Sequence, residues 1–429
     1  MKKIGIIGAG ASGLYCAINL KNENTDVTIL EKNDEIGKKI LITGNGRCNL
    51  TNTKTYKEFL DNIVSNKKFL YSSFAKHDNF ATIDFFTKNG LDLITEDDDR
   101  VFPKSEKAKD VIKFFENKIN EKSVKLIKNR EVIDIIKDKN FIVKTENKSY
   151  EFDIVIIATG GLSYPNTGST GDGFKFARKF NHNVTKTFPC LVPIFFKDKD
   201  LCNLKAITLE NVTLTIKTDE DIFSKKGSVL LTSKFISGPI VLNLSSLAIS
   251  SKINSIKLDL SEDDYKTLDK KFIKVLNENP KKDIINILKN FLIASLAEII
   301  LKRLNIKEDL KAYEINKDQR LEIINIIKNF TLEFDRFGGF NTAIITKGGV
   351  DINQMDPKTM QSKLVKGLYF IGEVLDIDGL TGGYNLQLAF TTAYQAQSSI
   401  KEDLWHILLQ LMDLVVLANL QFLKNLQKF

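Results

Sequence analysis

The sequence is poor in the residues that build disulfides, metal sites and histidine-based catalytic centres. Of its 429 residues, four are cysteines and three are histidines. No two cysteines have C-x-x-C spacing, which disfavours both a redox-active disulfide and a cysteine-based zinc site. The histidines lie outside every glycine-rich motif, so few residues are available for Ser-His catalysis or for catalysis by a histidine-bound metal. We therefore predict no metal site, and the few scattered cysteines fit a reducing, cytoplasmic location.

A dense basic patch and a long uninterrupted apolar run are also missing. The formal net charge is +8, but lysines are spread along the whole chain and are not interleaved with aromatic residues in one region. This pattern favours a small-molecule substrate over a nucleic acid. A glycine motif stands almost at the N-terminus, where a signal peptide would lie, and the Leu-rich C-terminal segment is too interrupted for a transmembrane span. We expect a monomer or a homodimer.

What the chain does have, at its very start, is a dinucleotide-binding pattern. The apolar residues 4–7 predict a buried strand, which leads into G-x-G-x-x-G at residues 8–13 and then into a helical pattern. Gly8 permits the tight turn, Gly10 lets a pyrophosphate approach the backbone, and Gly13 lets the helix pack closely on the strand. The N–H groups at the start of the helix would then face the phosphates.

Later segments extend this pattern. A second apolar run ends on Glu31, which lies 18 residues after Gly13, about where a carboxylate accepts hydrogen bonds from a ribose. Residues 37–52 are rich in Gly, Asn and Thr and could wrap a cofactor with backbone donors, although an ordinary polar loop is the alternative. The apolar strand at 154–157 opens into an Ala-Thr-Gly-Gly turn, and the one at 367–371 ends in Gly-Glu, as at the ligand-binding edge of open α/β sheets.

Between these segments the pattern changes. Polar and apolar residues alternate at 212–217, with similar stretches at 229–244 and 253–260, which predicts antiparallel strands. From about residue 262 the apolar period becomes helical. We predict an α/β fold with a discontinuous Rossmann-like domain: a first part at 1–188, a β-rich insert at 189–261, a helical insert at 262–335, a second part at 336–400, and a C-terminal amphipathic helix at 401–429.

Six sequence blocks resemble one family, the bacterial BaiN/RdsA-like NAD(P)/FAD-dependent flavoproteins, also described as aminoacetone-oxidase-family FAD-binding enzymes. They occur in order and cover the chain to about residue 400. The blocks are GIIGAGASGL (5–14), GKKILITGNGRCNLTN (37–52), RVFPKSEKA (100–108), ATGGLSYPNTGSTGDG (158–173), ITKGGV (345–350) and GLYFIGEVLDIDGLTGGYNLQLAF (367–390). The GRCN and GGYNLQ blocks are more specific than the glycine fingerprint.

The resemblance implies a tightly bound FAD, with NADH or NADPH docking transiently because no second G-x-G-x-x-G is present. It implies an FAD-dependent oxidoreductase that transfers hydride through flavin N5 and reduces an unsaturated or carbonyl small molecule. The alternatives are an FAD-binding protein that acts on RNA, or a non-catalytic scaffold. In support of the latter, this chain has Leu231-Thr232-Ser233 where the family tends to carry Phe-Thr-His.

Fingerprint and resemblance together assign cofactor-binding positions, while no catalytic residue is assigned. The positions expected at the pyrophosphate and ribose are Gly8, Gly10, Ala11, Ser12, Gly13, Glu31 and Lys32, and those expected in the loop beside the cofactor are Lys39, Gly44, Arg47 and Cys48. Adenine would be bracketed by Val132, and the nucleotide would be covered by Ala158, Thr159 and Gly160. The ribitol or pyrophosphate would be faced by Gly372 and Glu373, and the pyrimidine edge by Gly383, Asn385 and Leu386.

Overall fold

The computed structural model describes the backbone of residues 1–426 and the side chains of residues 1–405. The strands are β1 Lys2–Ile7, β2 Thr25–Leu30, β3 Thr51–Asn52, β4 Ile63–Ser65, β5 Leu93–Thr95, β6 Arg100–Pro103, β7 Lys125–Ile127, β8 Val132–Lys137, β9 Phe141–Thr145, β10 Ser149–Phe152, β11 Ile154–Ile157, β12 Phe188–Cys190, β13 Ile194–Phe196, β14 Ile207–Thr218, β15 Ile222–Leu231, β16 Phe235–Ser237, β17 Ile253–Asp259, β18 Phe330–Leu332, β19 Phe334–Phe337, β20 Ile345–Lys347, β21 Leu368–Phe370 and β22 Asp378–Gly379. The α-helices are α1 Ala11–Leu20, α2 Lys38–Ile42, α3 Tyr56–Asp61, α4 Tyr71–Lys76, α5 Asn79–Lys88, α6 Ala108–Glu121, α7 Asp172–Lys179, α8 Pro239–Ala248, α9 Tyr265–Glu278, α10 Ile284–Leu288, α11 Ala294–Arg303, α12 Lys317–Lys328 and α13 Tyr384–Leu426.

The chain divides into two compact units, Met1–Thr187 with Ile345–Phe429, and Phe188–Ile344. The first unit contains a five-stranded parallel sheet in the order β21-β11-β1-β2-β7. Because parallel strands share one carboxyl edge, the turns that follow β1, β2, β11 and β21 all leave the sheet on the same side. This arrangement confirms the predicted Rossmann-like α/β class.

The parallel strands are buried on both faces, which explains their continuous apolar sequences. All four residues of β1 from Ile4 to Ile7 and the residues of β11 from Val155 to Ile157 are buried. Helix α1 packs against α13 and α6 within the same hydrophobic core. The antiparallel sheet β10-β9-β8 and the small sheets β3-β6-β5 and β22-β4 also belong to this unit.

The second unit is built on a seven-stranded antiparallel sheet in the order β18-β17-β14-β15-β16-β13-β19. Alternate residues of β14, such as Leu214 and Ile216, are buried, as the sequence alternation predicts. They share one hydrophobic core with helical residues such as Ile287, Ile300 and Ile323. The segments expected as a β-rich and a helical insert therefore lie in one unit, because the apolar faces of the helices cover the sheet.

Two local predictions are corrected by the structure. Residues 239–244 belong to helix α8 and not to a strand, because Gly238 takes a φ of +106° and Pro239 begins the helix at a position where its missing N–H costs nothing. Residues 401–426 continue α13 without a break from Tyr384 and do not start a new helix. The amphipathic face predicted for the C-terminal segment lies, from residue 406 onward, outside the described side chains. Among the helices that the structure describes, none is both long enough and apolar enough to cross a bilayer.

Candidate nucleotide-binding site

The three fingerprint glycines have different environments. A Cβ on Gly8, whose φ is +104°, would lie 2.6 Å from the carbonyl oxygen of Ala158. A Cβ on Gly13 would lie 2.1 Å from the carbonyl oxygen of Gly8. A Cβ on Gly10 would meet no atom of the described residues within 4 Å. Packing thus requires glycine at the first and third positions, whereas Gly10 borders open space at the start of α1, as the approach of a pyrophosphate requires.

The start of α1 also lies beside the Gly-Glu turn that follows β21. A Cβ on Gly372, whose φ is +74°, would be 2.6 Å from Ser12 Oγ, and the Gly372 N–H donates to Thr392 Oγ1 at 2.9 Å. Gly10 is the N-cap and offers no side chain to the free N–H groups of the first turn, which begins with Ala11. Two predicted segments that are 360 residues apart in the sequence therefore meet at one helix N-terminus, where backbone donors and the helix dipole favour an anion.

Glu31 directly follows β2, lies beside the fingerprint turn and is buried. Its Oε2 accepts from the Ala9 N–H at 2.7 Å, and its Oε1 accepts from the Asn33 N–H and Nδ2, both at 2.8 Å. The Arg130 N–H donates to the Glu31 carbonyl at 2.8 Å, which brings the segment leading to Val132 to the same place. Val132 itself is buried at the start of β8. The carboxylate is thus oriented by fixed donors.

Lys32 is engaged with the long loop before α7. Its Nζ donates to Asp172 Oδ2 at 2.7 Å and to Thr170 Oγ1 at 2.5 Å. Burial by itself would raise the pKa of Asp172, but the hydrogen bond and charge of Lys32, with smaller effects of Thr170 and Lys175, hold that pKa below its usual value. This predicted cofactor-binding lysine therefore ties the loop of residues 158–173 to the end of β2 and has a protein partner for its charge.

The loop of residues 37–52 starts at the fingerprint, where the Gly37 N–H donates to the Ala9 carbonyl at 2.9 Å. Its backbone is left-handed at Gly44, with a φ of +56°, and at Cys48, with a φ of +63°. Cys48 is fully buried, and burial raises the pKa of its thiol to about 12. The thiol is therefore protonated at neutral pH and is not a nucleophile.

Arg47 is held by carboxylates of the same unit. Its guanidinium pairs with Glu96 and with Glu106, the latter at 2.5 Å, and its central carbon lies 4.1 Å from the centroid of the Phe102 ring. Stacking on an aromatic face and ion pairing together fix its orientation. Two of the family-like blocks, GRCN and RVFPKSEKA, are thereby joined by one side chain.

Glu373 is the centre of a polar cluster that joins four segments. Its Oε2 accepts from Lys39 Nζ at 2.6 Å, and its Oε1 accepts from Ser163 Oγ at 2.7 Å and from the Thr346 N–H at 2.8 Å. Lys39 also donates to Ser163 Oγ. Thr346 Oγ1 in turn accepts from the N–H groups of Leu162 and Ser163, at 2.7 and 3.0 Å. We name Lys39, Ser163, Thr346 and Glu373 the Glu373 cluster.

The turn after β11 is shaped by close contacts. The Ala158 N–H donates to the Ile7 carbonyl at 2.9 Å, which extends the β1–β11 pairing to the fingerprint. A Cβ on Gly160, whose φ is +72°, would lie 3.0 Å from Ser169 Oγ. Thr159 Oγ1 is buried, has no hydrogen-bond partner among the described residues and packs near Gly173 in the first turn of α7. The Thr159 hydroxyl therefore faces the start of α7.

The GGYNLQ block is locked by its own side chains. Asn385 Oδ1 accepts from the Gly379 N–H and its Nδ2 donates to the Gly379 carbonyl, each at 2.9 Å. A Cβ on Gly383, whose φ is +85°, would lie 2.5 Å from the Thr51 carbonyl. Asn385 thus uses its amide to hold a turn, and Leu386 beside it is partly buried against the core of this unit.

Gln387 joins this block to two other elements. Its Oε1 accepts from Thr51 Oγ1 at 2.8 Å. Its Nε2 donates to Thr82 Oγ1 at 2.8 Å, to the Asp78 carbonyl at 3.0 Å and to Thr391 Oγ1 at 3.1 Å. The side chain is fully buried, so every one of these bonds replaces water.

The residues with structural roles at the site that were not among the predicted positions include Ser163, Thr346 and Gln387. Each lies inside a block on which the family resemblance rests, and that was the signal available in the sequence. Among the residues that the structure describes, no group of His, Cys, Asp and Glu has an arrangement suited to a metal ion.

The comparisons with known proteins agree with this architecture. The chain matches the family described as "HI0933-like protein Rossmann domain" over residues 2–399. It is 31% identical over 93% of its length to a Haemophilus influenzae protein named ribosomal RNA dihydrouridine synthase, of which it covers 98%. It is 30% identical over 91% of its length to an Escherichia coli protein of the same name, of which it covers 95%. A Clostridium scindens protein named 3-dehydro-bile acid delta(4,6)-reductase is 30% identical over 94% of this chain and is covered in full. The chain therefore belongs to the HI0933-like Rossmann-domain family.

Proposed function

We propose that this protein is an FAD-dependent oxidoreductase that uses NADH or NADPH to reduce a carbon–carbon double bond conjugated to a carbonyl group in a small molecule. The relatives' names describe this one kind of chemistry, since both forming a dihydrouridine from uridine and reducing a 3-dehydro-Δ4,6 bile acid add two hydrogens to such a system. Family membership supports an oxidoreductase with a bound dinucleotide.

The observation that carries the proposal is the open space at Gly10. Its neighbours Gly8 and Gly13 are required by packing, whereas a Cβ on Gly10 would meet nothing within 4 Å in the part of the chain that the structure describes. A glycine kept where the protein has room for a side chain is expected where a ligand approaches the backbone. The buried carboxylate of Glu31 beside the same turn fits a ribose, which FAD has in its ADP half and FMN lacks.

The residues present fit such a cofactor. The first turn of α1 would hold the pyrophosphate, Glu31 the adenosine ribose, and the turns after β11 and β21 would enclose the middle of the molecule. FAD supplies hydride transfer at its N5 when it is bound. The contribution of this chain is to bind and orient the cofactor with backbone donors that need no rearrangement, since the loops are already fixed by Lys32, Arg47 and Glu373.

The test is to purify the protein, extract the flavin and identify it by chromatography, and then to follow reduction of the bound flavin by NADH and by NADPH in a stopped-flow instrument. We expect FAD, and reduction by at least one nicotinamide. Recovery of FMN alone, or of no flavin after reconstitution, contradicts the cofactor assignment. A bound FAD that neither nicotinamide reduces contradicts the reaction and favours a scaffold role.

A second candidate is reduction of a uridine base in RNA. Two of the relatives described above carry the name ribosomal RNA dihydrouridine synthase, and this chain has a net charge of +8. The charge is diffuse, so the small-molecule proposal stands first. Incubating the reduced protein with unmodified ribosomal RNA, and separately with a conjugated enone steroid, separates the two. Dihydrouridine in the RNA, together with a gel shift that weakens as salt is raised, would favour the second candidate.

A further inference from the structure

Glu31 and Glu373 lie in segments that would surround a dinucleotide's pyrophosphate, and among the residues that the structure describes only Glu373 is paired with a cation. Glu31 accepts from neutral N–H donors of Ala9 and Asn33. Glu373 instead pairs with the ammonium of Lys39 at 2.6 Å, and both side chains are about one-fifth exposed. The negative charge of Glu31 is thus stabilised by neutral hydrogen-bond donors, whereas that of Glu373 is stabilised by a positive charge.

The ion pair lies between two segments that each contact the fingerprint. Gly37, two residues before Lys39, donates its N–H to the Ala9 carbonyl at 2.9 Å. Gly372, next to Glu373, approaches Ser12 so closely that a Cβ on it would be 2.6 Å from the hydroxyl oxygen. Both partners of the Lys39–Glu373 pair therefore come from segments that contact the fingerprint turn or the first turn of α1.

Three protein groups from three different segments bind the Glu373 carboxylate. Ser163 Oγ and the Thr346 N–H occupy Oε1, and Lys39 Nζ occupies Oε2. A Cβ on Gly161 would lie 3.2 Å from Oε1, so the turn after β11 is packed directly on this carboxylate. Through these contacts the Glu373 carboxylate holds neighbouring segments of the site together.

A dinucleotide brings two negative charges to this place. A carboxylate without a partner nearby would repel them, and in a partly buried site that repulsion is weakly screened. We propose that Lys39 is a positioning residue that compensates the charge of Glu373, so that Glu373 can tie the loops of the site together without opposing the binding of an anionic dinucleotide. The proposal rests on the FAD binding proposed above.

The test is a double-mutant cycle with a neighbouring lysine as control. FAD affinity of the apoprotein is measured by flavin fluorescence for the wild type, Lys39→Met, Glu373→Gln and the double variant, and the melting temperature of each apoprotein is recorded. Lys38→Met is the matched control, because Lys38 is the adjacent residue. Lys38 Nζ pairs with Asp34 Oδ1 at 2.6 Å, and this ion pair is more exposed than that of Lys39.

We expect Lys39→Met to weaken FAD binding about tenfold or more, since it leaves a bare carboxylate beside the phosphates. Glu373→Gln and the double variant should both bind FAD at least about threefold more tightly than Lys39→Met, because no uncompensated negative charge remains in either. Lys38→Met should match the wild type. Lys39→Arg keeps the charge and should bind FAD nearly as well as the wild type. If Lys39→Met does not fold, Lys39→Arg and the double variant provide the test.

Two results would overturn the proposal. If Lys39→Met binds FAD as well as Lys38→Met does, the charge of Glu373 does not matter to binding. If the double variant is as weak as Lys39→Met, Lys39 contacts the cofactor directly and does not act through Glu373. A wild-type protein that binds no FAD at all is a different outcome, because it rejects the proposed function itself.

Discussion

Gly13 and Gly8 touch so closely that a single methyl group cannot be placed between them, since a Cβ on Gly13 would lie 2.1 Å from the Gly8 carbonyl oxygen. Gly10, between them in the sequence, has a φ of −84°, and among the residues that the structure describes a Cβ on it would have no atom within 4 Å. The same motif therefore contains a glycine demanded by packing and a glycine that packing leaves free.

We predict that Gly13→Ala destabilises the protein by about 3 kcal/mol, because backbone must move to admit the methyl group. Gly10→Ala should leave the melting temperature of the apoprotein unchanged, because the backbone conformation suits alanine and the space is open, but it should lower FAD affinity. Thermal unfolding and flavin titration of both variants check this. Equal stability of the two variants would show that the Gly8–Gly13 contact relaxes easily.

We predict that Gln387→Leu destabilises the protein by about 2–4 kcal/mol, because it leaves the buried hydroxyls of Thr51 and Thr82 without this partner in a site that excludes water. Thr391→Val removes one arm of this network and the hydrogen bond that its hydroxyl donates to the His77 carbonyl at 2.9 Å, and should cost about 1–2 kcal/mol. Urea unfolding of the two variants measures the difference. A loss of less than about 1 kcal/mol in Gln387→Leu would mean that water or a rearranged side chain replaces the amide.

Stability should depend on pH through His77. Burial lowers the pKa of His77 to about 4 from its ordinary value of 6.5, in a pocket where its ring stacks on Tyr394 and its Nε2 lies 2.9 Å from the Tyr15 hydroxyl. Between these two pKa values the unfolded chain binds a proton that the native protein does not. The free energy of unfolding should therefore fall as pH drops from about 6.5 towards 4, by at most about 1.4 kcal/mol per pH unit from this residue.

Urea unfolding at several pH values, for the wild type and for His77→Gln, checks this prediction. The variant should show a smaller slope over that interval. Burial also lowers the pKa of His182, so some slope will remain, and the comparison between the two proteins isolates His77. Parallel pH profiles would show that His77 titrates normally in the native protein.

Thiol reactivity should separate one cysteine from the other three. Cys202 is exposed, whereas Cys16, Cys48 and Cys190 are buried. In the native protein we predict that a thiol-specific reagent such as DTNB reacts quickly with one group, and that Cys202→Ser abolishes this fast phase. In guanidinium chloride all four thiols of the wild type should react. A second fast thiol in the native protein would indicate local opening around a buried cysteine.

Much of the fold could be predicted because its signals are local. Residues 4–7 and 154–157 are apolar throughout, which is typical of strands covered on both faces, and the structure places them side by side as β1 and β11. The fingerprint was recognisable for the same reason, since strand, turn, helix and second strand follow one another within 31 residues. The structure adds the separate physical roles of Gly8, Gly10 and Gly13.

The failed strand prediction at residues 239–244 has an equally local cause. Residues 239–244 are rich in apolar side chains, and hydrophobicity alone does not separate them from the strand that precedes them. Pro239 at the first helical position and Gly238 with a φ of +106° decide for a helix instead. Turn chemistry outweighed the hydrophobic pattern at this point.

By itself, then, the sequence determined the parallel α/β core, the glycine fingerprint and the acid at residue 31, because each depends on residues close together in the chain. Only the tertiary structure decided which partner each charged side chain would take. Lys32 pairs with Asp172 and Lys39 with Glu373, partners 140 and 334 residues away. Such pairs form because the carboxyl ends of parallel strands bring distant loops to one edge of the sheet, and that convergence, unlike periodicity or spacing, is a property of the folded chain alone.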